Sequence, residues 1–193
     1  MVKGGQNRVL VEAGMNRCRR PDDVWPLHAQ VDSATRRLEV VHEARLQCGR
    51  GCCSCCVDGL TVFEVEAEHI RRHHRELLAS TAPHPPGACA FLSDDGACRI
   101  YGVRPYVCRT QGLPLRWLEE SDDGATLERR DICPLNEAEE PIEALAAEDC
   151  FTLGPFEERL ARLQLAADAH APRVRLRDLF AASAGRAEPT PIR

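Results

Sequence analysis

Cysteine is most concentrated between Cys48 and Cys56, where five of nine residues carry a thiol. A free cysteine packs like a small hydrophobic residue, and alanine or valine would fill the same space without the reactivity. Cysteines at this density are therefore explained by what their thiolates bind or by the bonds that they form with one another. Two residues separate Cys52 from Cys55, a gap that lets both sulfur atoms face one ion.

The distribution of the cysteines favours metal binding over disulfide bonds. The chain has 11 cysteines, an odd number, and neighbours such as Cys52 and Cys53 make poor disulfide partners for each other. The start of the chain has only the short apolar run Val9–Val11, which does not predict a secretory signal. No stretch approaches the roughly 20 apolar residues that span a bilayer. We therefore expect a cytoplasmic protein without a membrane partner, whose thiols stay reduced.

Eight cysteines are candidate metal ligands. Four thiolates complete a tetrahedral zinc site, and four can also hold an iron–sulfur cluster. Thiolate ligands favour zinc or iron over magnesium or calcium, and the spacing alone does not choose between the two. The candidates form two groups along the chain, Cys48, Cys52, Cys55 and Cys56, followed by Cys89, Cys98, Cys108 and Cys133.

The adjacent residues Cys55 and Cys56 are difficult to place on one small ion, because successive side chains leave the backbone in divergent directions. We expect them to serve different metals, or one of them to bind metal while the other packs. This favours a polynuclear site, or a site whose remaining ligands come from the second group.

Two arginines flank one of the candidate ligands. Arg104 and Arg109 lie on either side of Cys108, where they could offset the negative charge of the thiolates or donate hydrogen bonds to sulfur. The alternative is that both are surface arginines. His69 and His73 are four residues apart and could bind a metal from one helix, but the charged residues that follow favour a solvated face.

Helices are predicted at both ends of the cysteine-rich region. Apolar residues at steps of three and four predict a helix from Leu27 to about Arg45, with Pro26 in its first turn. A second helix is predicted from Phe63 to Leu78, and Thr61 with Glu64 would form a capping box. Three further helices are predicted over residues 141–148, 155–169 and 174–182.

Hairpins are predicted between these helices. Asp95-Gly96 lies between two short apolar runs, a turn signal that would bring Cys89 and Cys98 towards each other. Residues 112–118 and 125–129 form the arms of a second predicted hairpin, with an acidic turn between them.

Composition sets the expected fold class. Aromatic residues make up only 5% of the chain, so much of the core must be aliphatic, which favours helices over a β-sandwich. We predict a mainly α fold with small β-hairpins, in which a compact cysteine-rich metal-binding domain carries a helical C-terminal extension.

The net charge of −5 argues against a nucleic-acid partner. The predicted divisions are a flexible tail over 1–22, the metal-binding domain over 23–136, the extension over 137–184 and a flexible tail over 185–193.

Several motifs in the same order resemble the YkgJ-type cysteine-cluster family, CxxCxxCC, a zinc- or iron-chelating domain. The motifs are Cys48-x3-Cys52-x2-Cys55-Cys56, Cys89-x-Phe-Leu, Gly96-x-Cys98-x-Ile-Tyr, Arg104-Pro-x-x-Cys108-Arg109 and Cys133-Pro-Leu-Asn136. The resemblance covers roughly residues 45–136, and Cys53 and Cys150 are not part of it. It implies a metal-chelating domain, with iron or an iron–sulfur cluster as one option. A related domain occurs in flagellin lysine methylases.

Three functions are consistent with this pattern. The first is a protein that binds iron, as an iron–sulfur cluster or otherwise, or zinc through its clustered thiolates. The second is a metal-dependent enzyme, or enzyme subunit, that modifies a protein or peptide, which requires an open coordination position and a nearby acid or base. The third is a structural zinc site in an interaction module. Whether there is catalysis, and which protein partner is bound, stays open.

Overall fold

The computed structural model describes residues 24–137 and 140–180. The helices are α1 (Trp25–Val41), α2 (Glu64–His73), α3 (Arg75–Ser80), α4 (Tyr106–Arg109) and α5 (Gly154–Ala167). The strands are β1 (Thr61–Val62), β2 (Leu115–Glu120), β3 (Thr126–Asp131), β4 (Phe151–Thr152) and β5 (Val174–Arg175). Short 3-10 turns occupy Tyr101–Val103, Pro134–Asn136, Ile142–Ala144 and Ala147–Asp149.

The strands form two small sheets that join distant parts of the chain. In one sheet β1 pairs with β5 in antiparallel register, with Val62 opposite Val174. In the other, β2 lies between β3 and β4, antiparallel to β3 and parallel to β4. The β2–β3 pair is the hairpin predicted around the acidic turn. Because β4 and β5 both lie after residue 150, the C-terminal part of the chain contributes a strand to each sheet.

The predicted mainly α fold is wrong. Helix accounts for 43% of the described residues and strand for 13%, and the strands form the two sheets. The error is clearest at residues 174–182, predicted as a helix. Val174 and Arg175 are instead strand β5, because their backbone groups pair with β1. The periodicity of a local segment does not show that the segment pairs with a strand more than 100 residues away. Helical backbone covers only 178–180 before the described residues end.

The first helix follows the prediction closely. Pro26 lies in its first turn, and Leu27, Val31 and Leu38 are buried on one face. The helix ends at Val41, four residues earlier than predicted, and His42 follows it as the C-cap. The His42 ring is buried, with Nε2 2.6 Å from the backbone oxygen of Asp149.

The second predicted helix is two helices. The backbone breaks at His74, where φ is −128° and ψ is 33°, so α2 and α3 are separate elements. The predicted capping box is wrong, because Thr61 lies in strand β1 and the N-cap position is Phe63, without a side-chain cap bond.

Two apolar cores hold the elements together, and α2 contributes to both. One core contains Ala67 and Ile70 of α2 with Phe91 and, from the C-terminal segment, Leu179. The other core packs Val65 of α2 against α1, α4, β4 and α5. Within the described ranges, no helix has the length and apolar character that crossing a bilayer requires.

A buried carboxylate links α2 to two other helices. Glu66 is 3% exposed, and its Oε1 lies 3.1 Å from His28 Nε2 in α1. The same oxygen accepts a 2.7 Å hydrogen bond from the backbone N–H of Tyr106, the first residue of α4. This network was not predicted from the sequence, because it joins residues that are 38 and 40 positions apart.

Replacing Glu66 with alanine should destabilise the protein far more than the same change at Glu68. The first change leaves two buried groups without their acceptor, which typically costs about 2–4 kcal/mol. Glu68 is half-exposed and pairs with Arg71 and Arg72 on the helix surface, where a pair contributes about 0.5 kcal/mol or less. Urea unfolding at constant metal content measures both. Equal losses would contradict the role of Glu66.

Candidate metal centre

Four thiols from two segments form the outer thiol group, namely Cys48, Cys52 and Cys55 of the first motif and Cys133. Burial raises the pKa of Cys48, and the charges of Cys133 and Cys52 raise it further. Burial also raises the pKa of Cys55, again reinforced by the charges of Cys52 and Cys133. Cys48 and Cys55 are exposed, whereas Cys52 and Cys133 are half-buried. The group therefore opens to solvent on one side.

The inner thiol group consists of Cys56, Cys89, Cys98 and Cys108, all of them half-buried. Burial, reinforced by the charges of Cys55, Cys89 and Cys98, raises the pKa of Cys56 to about 12. Burial raises the pKa of Cys108 further, with added repulsion from Cys89, Cys98 and Cys56. Cys89 and Cys98 also pack against the core that contains Phe91. The charges of Cys56, Cys89 and Cys98 thus all act on Cys108, and Cys89 and Cys98 attach the group to the core.

The structure divides the eight candidate ligands differently from their order in the sequence. Cys56 lies with the thiols of the hairpin region, and Cys133 lies with the thiols of the first motif. A backbone hydrogen bond of 2.8 Å from the N–H of Cys89 to the oxygen of Cys56 joins two segments of the inner group. The boundary between the two groups is drawn between the adjacent residues Cys55 and Cys56, whose side chains are hydrogen-bonded to each other and whose charges interact.

The thiols are close enough to repel one another, but they are not in ligand geometry. Across residues 24–137 and 140–180, no three Cys, His, Asp or Glu side chains are arranged so that they could hold a metal ion as they stand. The donor set nevertheless suits zinc or iron, because four thiolates form a complete tetrahedral site. Binding would require the loops of each group to close further around a cation.

Backbone N–H groups donate to the sulfur atoms of Cys89 and Cys98. The N–H of Phe91 lowers the pKa of Cys89 and that of Ile100 lowers the pKa of Cys98, each against a larger effect of burial that raises it. The two donors occupy the same relative position, two residues after the cysteine. Hydrogen bonds to sulfur stabilise thiolate and tune a bound metal or cluster.

Asn136 connects the segments of the outer group. It is fully buried, and its Nδ2 donates to Cys48 Sγ at 3.2 Å and to the oxygen of Gly112 at 2.7 Å. Its Oδ1 accepts from the N–H of Gln47 at 2.7 Å. The residue holds the loop after Cys133 against the loop before Cys48.

Glycines allow the loops to approach one another. Gly112 has φ +93°, and a Cβ there would lie 2.8 Å from Cys48 Sγ and 3.2 Å from Asn136 Nδ2. Gly96 has φ +76°, and a Cβ there would lie 3.1 Å from the oxygen of Gly51. The turn of the 89–101 hairpin therefore lies directly against the loop of the first motif. The bridge between Leu92 and Cys98 agrees with the predicted turn.

Positive charge lies near two thiols of the inner group, Cys89 and Cys98, and Arg104 provides only part of it. Burial raises the pKa of both Cys89 and Cys98. The charges of Arg177 and Arg99 act against this effect at Cys89, and those of Arg104 and Arg99 act against it at Cys98. Arg99 and Arg177 were not singled out in the sequence, because Arg99 occupies an unspecified position of the Gly96-x-Cys98-x-Ile-Tyr motif and Arg177 lies outside every cysteine motif.

Arg109 pairs with a carboxylate of α1 instead of with the thiols. It is 4% exposed, and its Nη1 donates to both carboxylate oxygens of Asp32 in α1, at 2.8 and 2.7 Å. Its Nη2 donates to the oxygen of Gly102 at 3.2 Å. Arg104 donates to the oxygen of Tyr101 at 3.0 Å and lies over its ring. Neither arginine donates to a sulfur atom in the hydrogen bonds described.

The remaining histidines and cysteines were not assigned to either group. His69 is buried, with its ring centroid 4.3 Å from that of His73, and both belong to an aromatic cluster with Trp25. Cys53 is exposed and Cys150 is buried beside β4. Cys18 lies outside the described residues.

A protein-family model for CxxCxxCC, "Putative zinc- or iron-chelating domain", matches residues 47–151. The match spans 105 of 193 residues, more than half of the chain. The chain belongs to this family. The resemblance inferred from the motifs is thus confirmed, and the CxxCxxCC match contains all eight candidate ligands together with Cys53 and Cys150. No curated protein and no solved structure matches the chain.

Substituting Gly112 with alanine should disturb the outer group. The positive φ alone strains a residue with a Cβ by about 1–3 kcal/mol, and the contact with Cys48 adds to that cost. We expect a loss of more than about 2 kcal/mol in the free energy of unfolding.

Gly49→Ala is the matched control, because nothing lies within 4 Å of its added Cβ and its φ is not positive. It should change stability by less than about 0.5 kcal/mol. Urea unfolding compares the two variants. A Gly112→Ala protein as stable as the control would show that the approach of Cys48 to this loop is misplaced.

Proposed function

We propose that this CxxCxxCC protein chelates zinc or iron at two separate sites, one in each thiol group. The inner thiol group would hold a metal that fastens the fold, and the outer thiol group would hold a metal accessible from solvent. The observation that carries the proposal is which thiols act on one another: Cys52 and Cys133 act on Cys48 and Cys55, whereas Cys56, Cys89 and Cys98 act on Cys108, so that each group has four thiols. Four is the number that completes a thiolate site for zinc or for an iron–sulfur cluster.

The electrostatics of both groups support a bound cation. Burial, with added repulsion from neighbouring thiolates, raises the pKa of Cys48, Cys56 and Cys108, so these thiols resist ionising together. A divalent cation removes that repulsion, because it binds the thiolates directly and deprotonates a coordinating thiol. When bound, the metal supplies a tetrahedral cross-link between segments that are distant in sequence.

The difference in exposure supports different roles for the two sites. Cys89 and Cys98 pack against a core, so a metal among the inner thiols would be enclosed by the fold. In the outer group Cys48 and Cys55 are exposed, so an ion held there could exchange with solvent or with another ligand. Structural sites are closed by protein ligands, whereas sites with a chemical role keep access for a further ligand.

Metal analysis of the purified protein tests the proposal. Aerobic and anaerobic preparations should each contain about two metal centres per chain, one per four-thiol group. Elemental analysis, labile sulfide and the visible spectrum then identify the metal. A brown protein with iron and sulfide indicates an iron–sulfur cluster, and a colourless one with zinc indicates mononuclear sites. A chain that takes up neither metal would contradict the proposal.

Single substitutions should separate the two sites. Cys108→Ser should lose the inner centre and lower the unfolding temperature, because metal binding and folding are coupled. Cys48→Ser should lose only the outer centre and affect stability less. Cys53→Ser, an exposed thiol outside both groups, is the control and should keep both metals. Loss of one shared centre in both ligand variants would show that the chain has a single site.

Metal affinity should rise steeply with pH. The thiols whose pKa is raised are neutral at pH 7, so a metal must displace their protons on binding. Each displaced proton changes the apparent affinity by about tenfold per pH unit. Between pH 6 and 7 we therefore expect at least a roughly hundredfold rise, measured by competition with a chelator of known pH dependence. A pH-independent affinity would exclude thiol ligands.

A further inference from the structure

We infer that Arg177, which lies outside the matched family domain, is a positioning residue for the inner thiol group. The inference rests on the proposed metal site in that group. The guanidinium of Arg177 joins two segments, one that follows Cys56 and one that precedes Cys89. In this role the C-terminal part of the chain completes a metal site whose ligands all lie within residues 47–151.

The contacts of Arg177 divide between the two segments. Its Nε donates to Asp58 Oδ1 at 2.9 Å, and Asp58 is two residues after Cys56. Its Nη1 donates to the oxygen of His84 at 2.6 Å, and its Nη2 donates to the oxygen of Ala88 at 2.9 Å. A fourth, longer bond of 3.3 Å reaches the oxygen of Pro85. Ala88 immediately precedes Cys89.

Asp58 also connects the two segments directly, through its own hydrogen bonds. Its Oδ2 accepts from the N–H of Gly87 at 3.1 Å, while its Oδ1 accepts from Arg177 and from the N–H of Gly59. Together with the backbone bond from Cys89 to Cys56, these contacts fix the separation between two thiols of the inner group. The loop 84–88 is rich in proline and glycine and forms no helix or strand of its own.

The planar guanidinium of arginine can make all of these hydrogen bonds at once, whereas the ammonium group of lysine cannot. Arginine presents five N–H donors in a fixed plane, so it can bind a carboxylate and several carbonyl oxygens at once. Lysine carries the same charge on a single nitrogen and could satisfy only part of this set.

Arg177 is itself anchored to a rigid part of the fold. The preceding strand β5 pairs with β1, and the N–H of Leu176 donates to the oxygen of Leu60 at 3.0 Å. Leu176 and Leu179 are buried in the core against which Cys89 and Cys98 pack. The guanidinium is therefore held at a fixed place beside the thiols, as a supporting group of a metal site requires.

Zinc affinity of the inner group tests this role. Cys48→Ser provides the background, because it removes a ligand of the outer group and leaves the inner one to be titrated alone. In that background Arg177→Gln should weaken zinc binding by about 10–100-fold, the usual effect of losing a group that orients metal ligands. Competition with a chromophoric chelator measures the affinity, and the absorption spectrum of the cobalt-substituted protein reports the geometry of the thiolates.

The matched control is Arg173→Gln. Arg173 precedes the same strand and donates to Thr61 Oγ1 and to the oxygen of Thr61, but it contacts neither thiol-bearing loop. It should lose some stability and keep wild-type zinc affinity. Arg177→Lys should recover only part of the affinity, and full recovery would overturn the positioning role in favour of charge alone.

Two outcomes separate this inference from the proposed function. If the wild-type protein binds metal at the inner group and Arg177→Gln binds it equally well, the inference is wrong and the proposed function stands. If the wild-type protein binds no metal there, the proposed function fails and the inference fails with it.

Discussion

The constraint on which this structure depends is the cost of bringing thiols together. Burial and mutual repulsion raise the pKa of Cys48, Cys55, Cys56 and Cys108, so the fold gathers groups that resist ionising side by side. A fold has no reason to concentrate such groups for packing alone. The family to which the chain belongs is described by metal chelation, and a cation is the partner that turns this repulsion into attraction.

The thiols are positioned mostly by polar contacts between segments that are distant in sequence. Asn136 fastens the outer group from the C-terminal side, and Arg177 does the same for the inner group. Gly112 leaves the space that Cys48 occupies. None of these residues carries a thiol, yet each of them either holds a thiol-bearing loop in place or leaves the space that a sulfur atom occupies.

The inner group is also connected to the second apolar core through Glu66. Its carboxylate accepts from the first residue of α4, the helix that carries Cys108, and lies beside His28 of α1. Arg109 of the same short helix pairs with Asp32 of α1. A helix of four residues has little stability of its own, so these contacts hold Cys108 in place.

The sequence by itself determined the eight candidate cysteines, the family, helix α1 and the β2–β3 hairpin. These features depend on residue type and on contacts between near neighbours, which spacing and periodicity report directly. That the adjacent residues Cys55 and Cys56 serve different metals stays a prediction, based on the divergence of successive side chains.

Only the tertiary structure decided which thiols lie together. Cys133 belongs with Cys48, and Cys56 belongs with Cys89, because the loops that carry them meet through backbone and amide contacts across 30 to 90 residues. The mixed α and β character has the same origin, since β4 and β5 exist only where β2 and β1 offer them a pairing edge. A residue's neighbours in space are set by such long-range pairing, and nothing in its local sequence encodes them.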